Sequence, residues 1–202
     1  MTDELIRAVT SADTSSQMVT AVKNLAAAKE PAAIPTLIAV FGYNNPAAAA
    51  VAMAALTELG TIAVPQLLAQ IDDYNYGARA YSMRTLAAIA DPLALDVLIT
   101  AATTDFAPSV RRAAAKGLGN LHWHQLGFLD RKIAQDRALT ALLLISQDSD
   151  WSIRYAAIVG LQALAKNTNL QLPIQDRFKE MLAIDPEKVI RARVQVAQMQ
   201  TA

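Results

Sequence analysis

The sequence predicts an all-α fold assembled from stacked helical hairpins, and three observations carry that expectation. Alanine supplies roughly a fifth of the 202 residues, well above ordinary usage. It has the highest helix propensity and lets neighbouring helix axes approach closely. Apolar residues recur at helical spacing, and the period-two alternation of a half-buried strand is absent. Finally, one unit recurs along the chain: an alanine-rich segment, a break, then a second apolar segment.

The first alanine-rich segment runs from Met18 to Leu25 and is followed by the apolar stretch Pro35 to Phe41. The second, Ala49 to Leu56, is followed by Pro65 to Ile71. The third begins at Asp73, passes Arg79 and ends at Leu86, with Pro92 to Ile99 behind it. The fourth has the clearest form, Asp105-Phe-Ala-Pro-Ser-Val-Arg111 running on to Leu118-Gly119. The fifth runs from Asp148 past Arg154 to Gly160-Leu161, and the sixth opens with Asp185 and Arg191. Proline at the front of each second segment suits a first helical turn, where its missing N–H costs nothing. The equivalent leucines Leu25, Leu56, Leu86, Leu118 and Leu161 are spaced by about 31, 30, 32 and 43 residues, inside the range of solenoid repeats. Each unit therefore reads as helix, turn, helix. One such hairpin cannot bury its apolar face alone, whereas stacked neighbours make the core continuous. The expected architecture is a HEAT-like α-α superhelix (solenoid) of about six hairpins, a single domain over residues 1–202. Its repeats fall at roughly 11–42, 43–72, 73–103, 104–147, 148–184 and a partial 185–202.

Composition narrows the function. Lys plus Arg is 18 and Asp plus Glu is 18, so formal net charge is zero. Nucleic-acid binding normally demands a basic surface, and no polybasic stretch suits an anionic membrane, so neither partner is expected. The chain has no cysteine, which rules out disulfides, thiolate zinc sites and a cysteine nucleophile of its own. An acidic N-terminus is unlike a signal peptide, and a cytoplasmic protein is the expectation. No Gly-rich phosphate loop or nucleophile elbow occurs, so the residues name no catalytic group.

In four repeats an aspartate precedes an arginine by six positions: Asp73/Arg79, Asp105/Arg111, Asp148/Arg154 and Asp185/Arg191. Aspartate ahead of a helix suits an N-cap. The arginine, one turn in, reaches a carboxylate in its own or the next repeat. Departures from the repeat are candidates for contact with other molecules. Asp72-Asp73-Tyr74-Asn75-Tyr76 puts aromatics beside acids and Arg79, and helical spacing cannot bury both Tyr74 and Tyr76 on one face. Either they meet a flat polar ligand or a partner, or one caps the core and the other is incidental. The stretched fourth interval holds His122-Trp123-His124 and Phe128. Two histidines alone do not complete a zinc site, so no metal is expected. The aromatics there either fill a widened junction or join a ligand site. Trp151 and Tyr155 make a third aromatic pair around Arg154, with Tyr155 read as core and Trp151 as surface. The apolar N-terminal units are expected to dock a partner.

At these residues the chain resembles a known family. The segments Asp73 to Tyr81, Arg84 to Pro92 and Asp105 to Gly119 are similar to the E/F-type heterodimeric phycobilin lyases of cyanobacteria, on the F-type side. The Tyr-Asn-Tyr-Gly-Ala-Arg-Ala run is the more specific part. The resemblance implies a subunit that acts with an E-type partner to attach phycocyanobilin, through a thioether, to a cysteine of the phycocyanin α subunit. The acceptor supplies the thiol, so a cysteine-free lyase is coherent, and the bilin is substrate rather than cofactor. Isomerising relatives are associated with a His-Cys motif that this chain lacks. On that resemblance the bilin's chemistry assigns Asp72 or Asp73 to the pyrrole nitrogens and Tyr74, Tyr76 and Trp123 to stacking. Its propionates fall to Arg79, Arg111, Arg112 or His122. The competing reading is a non-catalytic HEAT-like scaffold or chaperone in phycobilisome assembly or degradation.

Overall fold

The computed structural model describes residues 1–166 and 168–201, and among these every regular element is helical. The chain forms two compact units, Met1–Asp91 and Pro92–Ala202.

The first unit holds α1 (Thr2–Thr10), α2 (Ser15–Ala27), α3 (Ile34–Ala39), α4 (Pro46–Leu59), α5 (Val64–Ala69) and α6 (Tyr76–Ile89). Helix α4 packs between α2 and α6, and α1, α3 and α5 each pair with the helix that follows. Local chemistry sets the helix starts. Thr14 and Gln17 form a reciprocal capping box on α2. Asn45 caps α4 by accepting from the Ala48 amide, and Pro46 stands at its first position. The inner faces are small: Ala48, Ala49, Ala52 and Leu56 are buried on α4, which lets its neighbours come close. The stretch Pro46–Ala69 has a length and mean hydropathy that would suit a membrane span. Gly60, at φ +70°, ends α4 and divides it.

The second unit holds α7 (Leu95–Thr104), α8 (Pro108–Leu118), α9 (Phe128–Ile145), α10 (Trp151–Leu164), α11 (Gln171–Ile184) and α12 (Lys188–Thr201). Helix α10 lies between α8 and α12, while α7, α9 and α11 form the opposite layer. Its core is drawn from Leu98, Leu118, Leu142, Ile153, Leu161 and Phe178, all fully buried. The long fourth interval is absorbed by a 3-10 turn at Trp123–Gln125 and by the 18-residue α9.

The tightest joint of this unit is where α8 ends against α10. A methyl group on Gly119 would sit 1.9 Å from the Gly160 carbonyl oxygen, and one on Gly160 would sit 2.5 Å from the Ala115 oxygen. Neither glycine has positive φ, so the requirement is space between backbones. Gly119→Ala and Gly160→Ala are each expected to cost about 1–3 kcal/mol or more, as overpacking does, read as a lowered thermal midpoint of the purified chain. Unchanged midpoints would contradict the close approach.

Candidate functional site

The loops ahead of α6, α8, α10 and α12 share a construction that spacing alone did not reveal. The repeated aspartates are not the N-caps; they sit two residues earlier, in Asx turns. Asp105 Oδ1 accepts from the Ala107 amide, Asp148 Oδ1 from the Asp150 amide and Asp185 Oδ1 from the Glu187 amide. In the first of the four loops Asp72 takes this role, accepting from the amides of Tyr74 and Asn75 at 2.8 Å each. Asn75 and Asp150 then cap α6 and α10.

The arginines hold these loops from the helix side. Arg79 is buried, and its Nη1 donates to the Asp72 and Asp73 carbonyls. Arg111 donates to the Ala102 carbonyl and, at 2.5 Å, to the Asp148 carboxylate of the next loop. Arg154 repeats this one step on: Nη1 donates to the carbonyls of Asp148 and Ser149, while Nε and Nη2 form a bidentate pair with Asp185. Arg191 donates to the carbonyls of Asp185 and Pro186. Burial pushes the Asp185 carboxyl up, but hydrogen bonds from Arg154 and the Glu187 amide, with the charges of Arg154 and Arg191, hold it below its ordinary range.

In the N-terminal unit, then, Asp72, Asp73, Tyr74, Tyr76 and Arg79 come together in one loop. Tyr74 is 97% exposed and Tyr76 57%, so both aromatic rings face outward. Hydrogen bonds from the Asn75 and Tyr74 amides, with Arg79 nearby, hold Asp72 below the usual carboxylate range, keeping it anionic beside them. Tyr43 is exposed in the loop ahead of α4. A methyl group on Gly42 would sit 3.8 Å from the Asn75 side-chain nitrogen, so that loop lies against the start of α6. Sequence reasoning missed Tyr43, although Asn44-Asn45-Pro46 behind it marked a turn into a helix.

In the C-terminal unit the four expected residues divide. Arg111 is committed to the loops. Arg112, half-buried on α8, donates to Ser152 Oγ at 2.9 Å. His122 and His124 are exposed, their rings 5.5 Å apart. Trp123, between them, is 8% exposed, so it fills the junction and has no open face for stacking. Phe128 does the reverse: it is exposed at the start of α9 rather than filling the junction. Trp151 is exposed and Tyr155 half-buried, with the Arg193 guanidinium 5.7 Å from the Tyr155 ring centre. No group of three or more potential metal ligands occurs among the described residues.

Repeated helix pairs make this an α-helical repeat protein, and residues 64–162 match the HEAT repeats family. The comparison with individual proteins is more specific. The chain is 70% identical over 200 residues to a protein of Nostoc sp. named phycocyanobilin lyase subunit beta, covering 99% of this chain and all of that one. It is 44% identical over 193 residues to the phycocyanin alpha phycocyanobilin lyase CpcF of Synechocystis sp., covering 95% and 90% of the two. A chain in the solved complex of CpcE and CpcF of phycocyanin lyase from Nostoc sp. superimposes with a TM-score of 0.83 at 73% identity, covering 84% of this chain and 99% of that one. The chain belongs to the phycocyanobilin lyase beta-subunit (CpcF) family.

The Arg154–Asp185 rung generates a pH prediction. Because the folded carboxyl of Asp185 titrates below its unfolded value, the rung's stabilisation is full above the ordinary carboxylate range. It is lost as pH falls through the folded value. Thermal midpoints of the wild-type chain are expected to fall on acidification from pH 6 to pH 3, with Asp185→Asn showing a flatter dependence. Asp185→Ala, which leaves Arg154 buried without its counter-charge, is expected to cost about 3–5 kcal/mol at pH 7. Equal pH dependence in wild type and Asp185→Asn would contradict the assignment.

Proposed function

We propose that this chain is one subunit of a heterodimeric bilin lyase. With an E-type partner, it attaches phycocyanobilin through a thioether to a cysteine of the phycocyanin α subunit. The observation that carries the reading is 70% identity, end to end, with a phycocyanobilin lyase beta subunit. The match to a chain of a CpcE–CpcF complex supports the heterodimer. The protein works in the cytoplasm, brings no cofactor, and takes the bilin as substrate. The N-terminal hairpins are the proposed docking region for the partner.

The chemistry is catalysis by positioning. The acceptor's thiol is the nucleophile, and the lyase holds the open-chain tetrapyrrole so that its ethylidene carbon meets that thiol. Asp72, anionic and fixed by two amides, is the counter-charge for protonated pyrrole nitrogens, with Asp73 beside it. Tyr74 and Tyr76 offer exposed ring faces for the flat pyrroles. Among the cationic candidates for the propionates, Arg112 keeps its guanidinium out of the loop ladder. Arg79 and Arg111 serve the site indirectly, by holding the loops that present it.

Co-expression with an E-type subunit, the apo-phycocyanin α subunit and phycocyanobilin is expected to yield a covalent, fluorescent adduct that requires both lyase chains. Pigment binding without transfer would favour the scaffold reading. Tyr74→Ser/Tyr76→Ser is expected to reduce the initial rate of adduct formation about tenfold or more. Both side chains are exposed, so the thermal midpoint should not move. An unchanged rate would remove the tyrosines from the site.

A further inference from the structure

The chain is neutral as a whole, but its charges are segregated in the C-terminal unit. Helices α8, α10 and α12, which lie side by side, contain no aspartate or glutamate. Their basic residues are Arg111, Arg112, Lys116, Arg154, Lys188, Arg191 and Arg193. The ladder consumes Arg111, Arg154 and Arg191. Elsewhere in this unit Arg137 pairs with Asp96 and Arg177 with Glu180. Arg131 donates to the carbonyls of His124 and Leu126. Arg112 and Arg193 form no ion pair among the described residues. Both reach over α10 from opposite sides: Arg112 donates to Ser152 Oγ, and Arg193 lies at the Tyr155 ring and donates to the Gln162 side chain. Ser152 and Tyr155 are three positions apart on α10, about one turn and on one face.

Arg193 also carries a buried Nη1 with no hydrogen-bond partner. A buried guanidinium donor left unsatisfied is costly, and a shift of the fork that brings it to an oxyanion would relieve that cost. Asp150 gives Arg112 a nearby negative charge, but its carboxylate is bound to the side chain and amide of Ser152. These bonds, helped by Arg112, hold it below its usual range. Arg112 therefore contributes a donor fixed in place by a neutral hydroxyl.

We propose that Arg112 and Arg193 form a two-point carboxylate clamp across α10, with the Tyr155 ring beside Arg193, and that its ligand is the pair of propionates on the bilin. The inference rests on the function proposed above and assigns the propionates a place on this face. Two cations held out of ion pairs, one on each flank of α10, match a dianion. Arginine, with its planar fork, suits carboxylates better than lysine does.

The test uses the heterodimer and two probes, phycocyanobilin and its dimethyl ester, titrated by absorbance. Wild type is expected to bind the free acid at least about tenfold more tightly than the ester. Arg112→Gln/Arg193→Gln is expected to weaken free-acid binding to the level of the ester and to leave ester binding unchanged. Arg112→Lys/Arg193→Lys should restore part of the preference. Equal binding of both probes by wild type would overturn the clamp. So would a double variant that keeps the preference, or one that loses both probes alike. Intact bilin binding with loss of the phycocyanin α subunit would overturn it in favour of an acidic protein ligand. A wild-type heterodimer that attaches no bilin would instead sink the function proposed above, so the two failures are distinguishable.

Discussion

The structure depends on a relay in which an arginine inside one helix holds the loop that starts the next. In the C-terminal unit Arg111 takes Asp148, and Arg154 takes Asp185. Each of those aspartates uses its other carboxylate oxygen, or the same one, to hold an amide two residues on. A carboxylate so placed ties two helices and one loop at once. The buried pair is not there because ion pairs are intrinsically strong. Desolvation offsets most of the Coulomb attraction, and what remains is geometric: the bidentate fork fixes the angle at which the next loop leaves.

That relay governs both what is exposed and what charge remains. Loops pinned from within can carry aromatic residues outward without collapsing on them. Tyr74 in the first unit and Phe106 in the second are exposed on such loops, and Trp151 is exposed at the start of α10 just behind one. The relay also removes the acids of the repeat motif from the helix faces and places them at the loops. Helices α8, α10 and α12 are thereby left cationic in a chain of zero net charge. A neutral total is a poor guide here, because the zero is a sum over two differently charged regions.

Much of the fold was legible because its signals are local. Alanine-rich segments, prolines at first turns and the recurring leucines marked the helices, and all five leucines are fully buried. The aspartates were misjudged as caps because an Asx turn and an N-cap use the same residue at nearly the same distance from the helix. Only the backbone path separates them, and Asn75 and Asp150 do the capping. Within the site, helical spacing required that at least one of Tyr74 and Tyr76 be exposed, and the structure exposes both. The burial of Trp123 and exposure of Phe128 did not, because the inserted segment follows no repeat that would set its phase. Arg193 and Tyr155 were invisible as a pair because they lie on different helices and belong to no motif.

The most direct measurement of this account is amide hydrogen exchange on Arg154→Leu at neutral pH. Loss of the relay should speed exchange at the Asp150 and Glu187 amides, which depend on Asp148 and Asp185, and leave the core amides of α8 protected. Unchanged exchange at those two amides, or loss of protection spread evenly over α8, α10 and α12, would show that the arginine does not hold the loops.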